Sequence, residues 1–357
     1  MIVSIQSNTI IQNFDYTFNN ECVGLMGPSG CGKTTLMNEI FKSMKNIAYV
    51  PQTPPIYEFL NVIENIQISL QLNNRPCTES DDIVRDMELS TCAHTLVKHV
   101  SGGERKRCSI AIELTANTNT LQMFMFDEPF SALDSRSTML IFNLIQSKIQ
   151  NIPIILSVHQ PTSTMFFNFD SIFLMCHGSI IYTGSPHLIQ SHFESMGHAI
   201  PTYSSVPEYI IDLCQDIPKE SVKKYTSSSP TSFIASHNDI LLQTPLYFKL
   251  SLHSVQPLLK RELLQNIRNP VFLKVRLLQT FIFGIFVGLL FFNTTNTQIG
   301  VQNKTGALFF IIINQIMSNV FSTVQTFPES LNIFKYDYAR QKYSLFAFYF
   351  IKTSVDV

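Results

Sequence analysis

Residues 22–35 read Cys-Val-Gly-Leu-Met-Gly-Pro-Ser-Gly-Cys-Gly-Lys-Thr-Thr, and the latter part of that stretch decides the fold. Gly27-Pro28-Ser29-Gly30-Cys31-Gly32-Lys33-Thr34-Thr35 fits the phosphate-binding spacing G-x-x-x-x-G-K-[ST]. Cys22 to Met26 before it is apolar, as in a strand buried on both faces, and Leu36 to Met44 after it has a helical pattern. That strand, loop and helix are the setting the spacing requires, and a chance glycine-rich turn needs neither neighbour. The physics is local: a nest of backbone N–H groups at a helix start, with its partial positive charge, receives a phosphate. Lys33 would bridge the β- and γ-phosphates, and Thr34 would place its hydroxyl on Mg²⁺.

The chain of 357 residues has room for two units. Its 13 glycines are about half the usual ~7% share, and Gly24, Gly27, Gly30, Gly32, Gly102 and Gly103 fall in two short runs. Charged residues make up only 14%, against about 25% in soluble domains, while 45% hydrophobic residues and 29 Phe leave ample apolar surface for a core or for lipid. The net charge of −1 supplies no basic field, so no nucleic-acid partner is expected. Seven Cys without regular spacing do not form a secreted disulfide framework, which favours a reduced, cytosolic setting. Asp15 and Glu21, with no basic-then-apolar run near them, give no sign of a signal peptide.

A nucleotide site needs a second element for metal and water. Leu121 to Phe126 is an apolar run ending in Asp127-Glu128-Pro129, the pattern of a buried parallel strand with two carboxylates at its ligand-facing end. Asp127 is then the outer-sphere Mg²⁺ partner and Glu128 the base that orients or deprotonates water. The second glycine run, Val100-Ser101-Gly102-Gly103-Glu104-Arg105-Lys106-Arg107, opens a helical pattern. Ser101-x-x-Glu104 alone would be a plain capping box, but two glycines beside it expose N–H groups to an anion.

This last stretch resembles the signature sequence of ATP-binding cassette proteins, and the resemblance continues in order along the chain. Tyr49-Val50-Pro51-Gln52 looks like the Q-loop, with Gln52 toward Mg²⁺ and the γ-phosphate. Ser131-Ala132-Leu133-Asp134 looks like the D-loop, and Ser157-Val158-His159-Gln160-Pro161 like the switch-histidine loop, with His159 on the γ-phosphate. Ser-Gly-Gly-Glu-Arg-Lys-Arg, His159 followed by Gln-Pro, Asn266-Ile267-Arg268-Asn269-Pro270 and Phe327-Pro328-Glu329-Ser330 narrow it to the White-type, or G, subfamily. The resemblance implies an α/β nucleotide-binding domain of the P-loop NTPase class with a helical subdomain, followed by an all-α transmembrane segment. It also implies a head-to-tail dimer with a second half-transporter, in which ATP lies between Lys33 and Thr34 of one copy and Ser101, Gly102 and Gly103 of the other. ATP hydrolysis would then move a lipid-like or other small hydrophobic substrate. Two departures stand out. The interval from Lys33 to Gln52 leaves no room for the family's β-hairpin insertion, and the N-terminal stretch has no obvious aromatic to stack on adenine.

Between Leu277 and Phe334 only Lys304 and Glu329 carry charge. Spans are expected over about 275–295 and 306–327, with a partial third from 345. Lys260, Arg261, Arg268, Lys274 and Arg276 lie before them and Lys335, Arg340 and Lys342 after, so the positive-inside rule puts both flanks in the cytosol with the ATPase. The loop Asn293 to Lys304 would face the other side, its two glycosylation-type asparagines too close to the membrane to be modified. We expect a nucleotide domain over 1–215, a Ser/Thr/Lys-rich linker over 216–244, and a membrane unit over 245–357. That unit would open with an amphipathic interfacial helix marked by Leu252, Val255, Leu259, Leu263 and Ile267. Family members carry six spans, so the resemblance implies a chain cut short in its membrane domain. The rival readings are a soluble P-loop ATPase and an ATP-binding membrane partner that transports nothing.

Overall fold

The computed structural model describes residues 2–5, 14–44, 46–118, 121–201, 203–222, 225, 252–292, 298–340 and 342–356. Strands β1 (Ile2–Ile5) and β2 (Phe14–Thr17) form an antiparallel pair. The main sheet holds β3 (Cys22–Met26), β4 (Ile47–Val50), β5 (Met123–Asp127), β6 (Ile154–Ser157), β7 (Ser171–Cys176) and β8 (Ser179–Gly184), in the order β4-β5-β6-β3-β7-β8. All neighbours are parallel except β7 and β8.

The composition of the strands accounts for this. Every position of β3 and β5 is buried, as a parallel sheet covered on both faces demands. Successive side chains point to opposite faces: Phe124 and Phe126 pack with Val50, Leu156 and Leu174, whereas Met123 and Met125 pack with Leu25, Tyr49 and Phe173. Leu25 and Asp127 both lie in register with Ser157, so the loops leaving β3, β5 and β6 emerge from one edge. Helix α1 (Lys33–Ser43) leads almost directly into β4, with no hairpin between, as the short interval implies.

A helical subdomain, α2 (Val62–Leu72), α3 (Glu79–Asp86) and α4 (Gly102–Leu114), packs around α2. Helices α5 (Ser135–Lys148), α6 (Ser163–Phe167), α7 (Ile189–Ser195) and α8 (Val206–Asp216) complete the first part. Most of the expected linker lies outside the described residues.

Four helices follow: α9 (Leu252–Arg268), α10 (Pro270–Leu290), α11 (Gln298–Ala339) and α12 (Leu345–Asp356). A helix is present over the segment expected to be interfacial, as α9, but its basic residues do not share one solvated face. Arg261 is 1% exposed, whereas Leu259, Leu263 and Ile267 are 39%, 42% and 66% exposed. The reason is what packs against it. Arg261 meets Asp337 at 3.4 Å and the Tyr343 hydroxyl at 3.3 Å, and lies over the Tyr57 ring at 4.4 Å. The three leucine and isoleucine side chains point outward, as a helix lying on lipid would place them.

Among the described residues, no helix is long and apolar enough to cross a membrane. Helices α10 and α11 stand where both spans were expected. In α10 the unbroken apolar run Phe281 to Leu290 follows the uncharged polar pair Gln279 and Thr280. Asn314 and Gln315 interrupt α11. The loop expected to reach Lys304 is shorter, because α11 already starts at Gln298; Asn293 lies outside the described residues. Pro328 sits within α11 without ending it, and the 42-residue helix runs on until Phe334 is buried against α2, α9 and α12.

Candidate nucleotide site

Gly27, Gly30 and Gly32 adopt φ of 150°, 79° and 108°, values that side chains resist. At Gly27 the constraint is also steric: a Cβ would stand 2.2 Å from the Met175 carbonyl oxygen and 2.8 Å from Cys31 Sγ. Gly27→Ala is therefore expected to cost about 2 kcal/mol or more and to spoil the phosphate nest, read as a fall in melting temperature together with lost nucleotide retention. Wild-type values for both would refute this. The carbonyl of Cys31 accepts from Gly178 N at 2.9 Å, tying the loop to the β7–β8 turn. Burial pushes the Cys31 thiol up, so it fills space rather than acting as a nucleophile.

The groups expected to meet the γ-phosphate converge on the same sheet edge, each held by a neighbour. Lys33 Nζ donates to the carbonyls of Gly27 at 2.7 Å and Pro28 at 3.1 Å. Ser29 Oγ and His159 Nε2 are 2.6 Å apart, joining the loops after β3 and β6. Gln52 Nε2 donates to Glu128 Oε2 at 2.9 Å, joining the loops after β4 and β5. Thr34 is exposed and Thr35 half-buried at the start of α1.

Asp127 is 1% exposed, and its Oδ1 accepts from Ser157 Oγ at 2.6 Å. Its Oδ2 is buried without a hydrogen-bond partner. A buried carboxylate oxygen left without a partner is a hard donor of the kind that suits Mg²⁺, and the Thr34 hydroxyl and Gln52 amide oxygen are donors of the same class. Glu128 holds φ of 47°, and its N–H donates to the same Ser157 Oγ at 2.8 Å. Ser157 thus fixes both carboxylate residues. Its part was missed in the sequence, where the one signal was a hydroxyl closing an otherwise apolar strand.

Ser101 and Glu104 make the capping box: Glu104 N donates to Ser101 Oγ at 3.3 Å, and Ser101 N to Glu104 Oε2 at 2.8 Å. Gly102 has open space beside it, while a Cβ on Gly103 would lie 3.2 Å from the Ala132 carbonyl oxygen. Asp134 caps α5, and hydrogen bonds from Ser137 and Arg136 hold its carboxyl below the usual range. Among the described residues, no hydrogen bond joins Ser101, Gly102 or Gly103 to residues 27–35.

Residues 11–131 match the family described as ABC transporter, and residues 253–357 that described as ABC-2 type transporter. A further ABC-2 type family matches residues 159–238. The chain is 27% identical to Protein white of Drosophila melanogaster, over 95% of this chain and 58% of that protein. It is 28% identical to the ABC transporter ATP-binding protein/permease wht-3 of Caenorhabditis elegans, over 87% and 57%. It is 24% identical to the Broad substrate specificity ATP-binding cassette transporter ABCG2 of Mus musculus, over 93% and 61%. The chain belongs to the White-type ATP-binding cassette transporters. It spans less than two thirds of the length of each of these relatives. In this White-type chain the ABC-2 match opens within α9, the helix on which Arg261 turns inward.

Proposed function

We propose that this chain binds Mg-ATP between two copies and hydrolyses it to move a lipid-like or other hydrophobic substrate across a membrane, as one half of a dimeric transporter. The observation that carries the reading is the split site. Lys33, Gln52, Asp127, Glu128 and His159 gather at one sheet edge, while Ser101 to Gly103 form a second helix start with open space beside Gly102 and, among the described residues, no hydrogen bond to residues 27–35. A second copy would bring its own Ser101 to Gly103 to the triphosphate held by the first.

Lys33 and the loop amides hold the β- and γ-phosphates, and Glu128 takes the proton of the attacking water. His159 leaves Ser29 to steady charge on the γ-phosphate oxygens. Thr34, Gln52 and Asp127 would hold Mg²⁺, which would supply positive charge against the phosphate oxygens. Catalysis of this kind is chiefly positioning and electrostatics.

Residues 1–215 form the nucleotide unit in this reading, 216–244 the linker and 245–357 the start of the membrane unit. The exposed Leu277, Phe281, Ile285 and Leu289 of α10, with Leu308, Ile312, Val320 and Val324 of α11, support contact with lipid and weigh against a soluble ATPase. Motion would pass through α9: Arg268 grips Glu64 at the start of α2 with bonds of 2.5 and 2.9 Å, and Glu64 also caps that helix.

The test is nucleotide retention by membrane-embedded protein. Lys33→Ala should weaken Mg-ATP binding tenfold or more, consistent with ~1.5–3 kcal/mol for a charge-assisted bond. The wild-type protein should stay with membranes after carbonate washing. Unchanged affinity in the variant overturns the site, and release by carbonate overturns the membrane reading. ATP retained without any turnover would instead favour a non-transporting partner.

A further inference from the structure

Helix α4 begins with the residues proposed to reach the other copy's nucleotide and ends near Glu113, which pairs with Arg340. Between them Lys106 turns inward and is 6% exposed. Its Nζ donates to the main-chain carbonyl of Gln52 at 3.0 Å and to that of Asp127 at 3.4 Å. Burial pulls its ammonium below the ordinary lysine range, against the pull of the nearby Asp127 and Glu128 carboxylates. Placing a cation there costs free energy that an apolar side chain of similar length would not, so packing alone does not account for it.

We infer that Lys106 is a positioning residue that makes the signature helix, the Gln52 loop and the end of β5 move as one body. Gln52 and Asp127 sense the phosphates bound to their own chain. Lys106 holds the backbone of both, and α4 carries that displacement to Ser101, Gly102 and Gly103, which serve the nucleotide on the other copy. Each ATP site thereby reports to its twin. This rests on the proposed function and deepens it by naming the link between the two composite sites.

The experiment uses the full-length protein in membranes, with wild type, Lys33→Ala, Lys106→Met and Lys106→Arg in parallel. Steady-state ATPase rates across Mg-ATP concentrations, binding of a fluorescent ATP analogue and thermal unfolding are measured on each. Lys106→Met is expected to lower kcat about tenfold, with KM, analogue affinity and melting temperature near wild type. Lys106→Arg should recover most of the rate, since it restores a cation with hydrogen-bond donors. An unchanged kcat in Lys106→Met overturns the inference. So does a joint fall of kcat, affinity and melting temperature, which would mark a merely structural lysine. Failure of the underlying reading looks different: wild type then fails to bind Mg-ATP, or Lys33→Ala binds it equally well.

Discussion

Replacing Glu128 with Gln should reduce ATP turnover by about 10³-fold, equivalent to ~4 kcal/mol of barrier, while ATP affinity is retained. The substitution is nearly isosteric, and the amide oxygen can still accept from Gln52 Nε2, which donates to Glu128 Oε2 at 2.9 Å. It also leaves the backbone as it was. Glu128 holds φ of 47° because Ser157 Oγ accepts its N–H and the hydroxyl and N–H of Ser131 both donate to its carbonyl, at 2.9 and 3.3 Å. Strain of this kind persists where the surroundings over-determine it. Only the base is lost, so a chain pair closed on ATP should accumulate. Single-turnover hydrolysis and the oligomeric state in Mg-ATP would be measured, and a rate within tenfold of wild type would place the base on another residue.

Breaking the Glu113–Arg340 pair should cost about 3–5 kcal/mol and lower the unfolding temperature by roughly 10 °C. The two side chains are 3% and 6% exposed. Arg340 also donates to the Tyr49 carbonyl and to Tyr336 Oη, and the Tyr336 hydroxyl donates to Glu113 Oε1 at 3.2 Å. The last turn of α11 is thus bolted to α4 and to β4, three residues before Gln52. Arg340→Ala leaves a buried carboxylate with no cation and only the Tyr336 hydroxyl against it, which is why the single change is severe. Glu113→Leu together with Arg340→Met removes both charges and should restore most of the stability, since a buried pair replaced by apolar side chains is often neutral. Thermal unfolding of the solubilised protein decides: no shift in the single variant means the contact carries little, and a double variant as unstable as the single means the loss is one of packing.

Much of the nucleotide site was legible because each of its parts is short-range. A phosphate nest needs its glycines and lysine within nine consecutive residues, Gly27 to Thr35, and the structure shows those glycines at the positive φ values the spacing implies. The Ser101–Glu104 capping box closes within one helical turn, and it too is found as read. The missing hairpin was visible as a simple shortage of residues between Lys33 and Gln52. Ser157 and Lys106 were not legible in the same way. Their partners, Asp127 and Gln52, are brought to them only by strand register and helix packing.

The helices after residue 252 show the same division. Periodicity marked α9, yet nothing within it said that Arg261 would be buried and Leu263 exposed, because that depends on Asp337 and Tyr343 arriving from residues some eighty positions later. By itself the sequence determined which chemistry this chain carries, since amide nests, caps and a lysine beside a carboxylate-ended strand are properties of neighbouring residues. The tertiary structure alone decided which of those groups face one another and which charges are stripped of water, because desolvation and pairing are set by the other elements packed around a side chain.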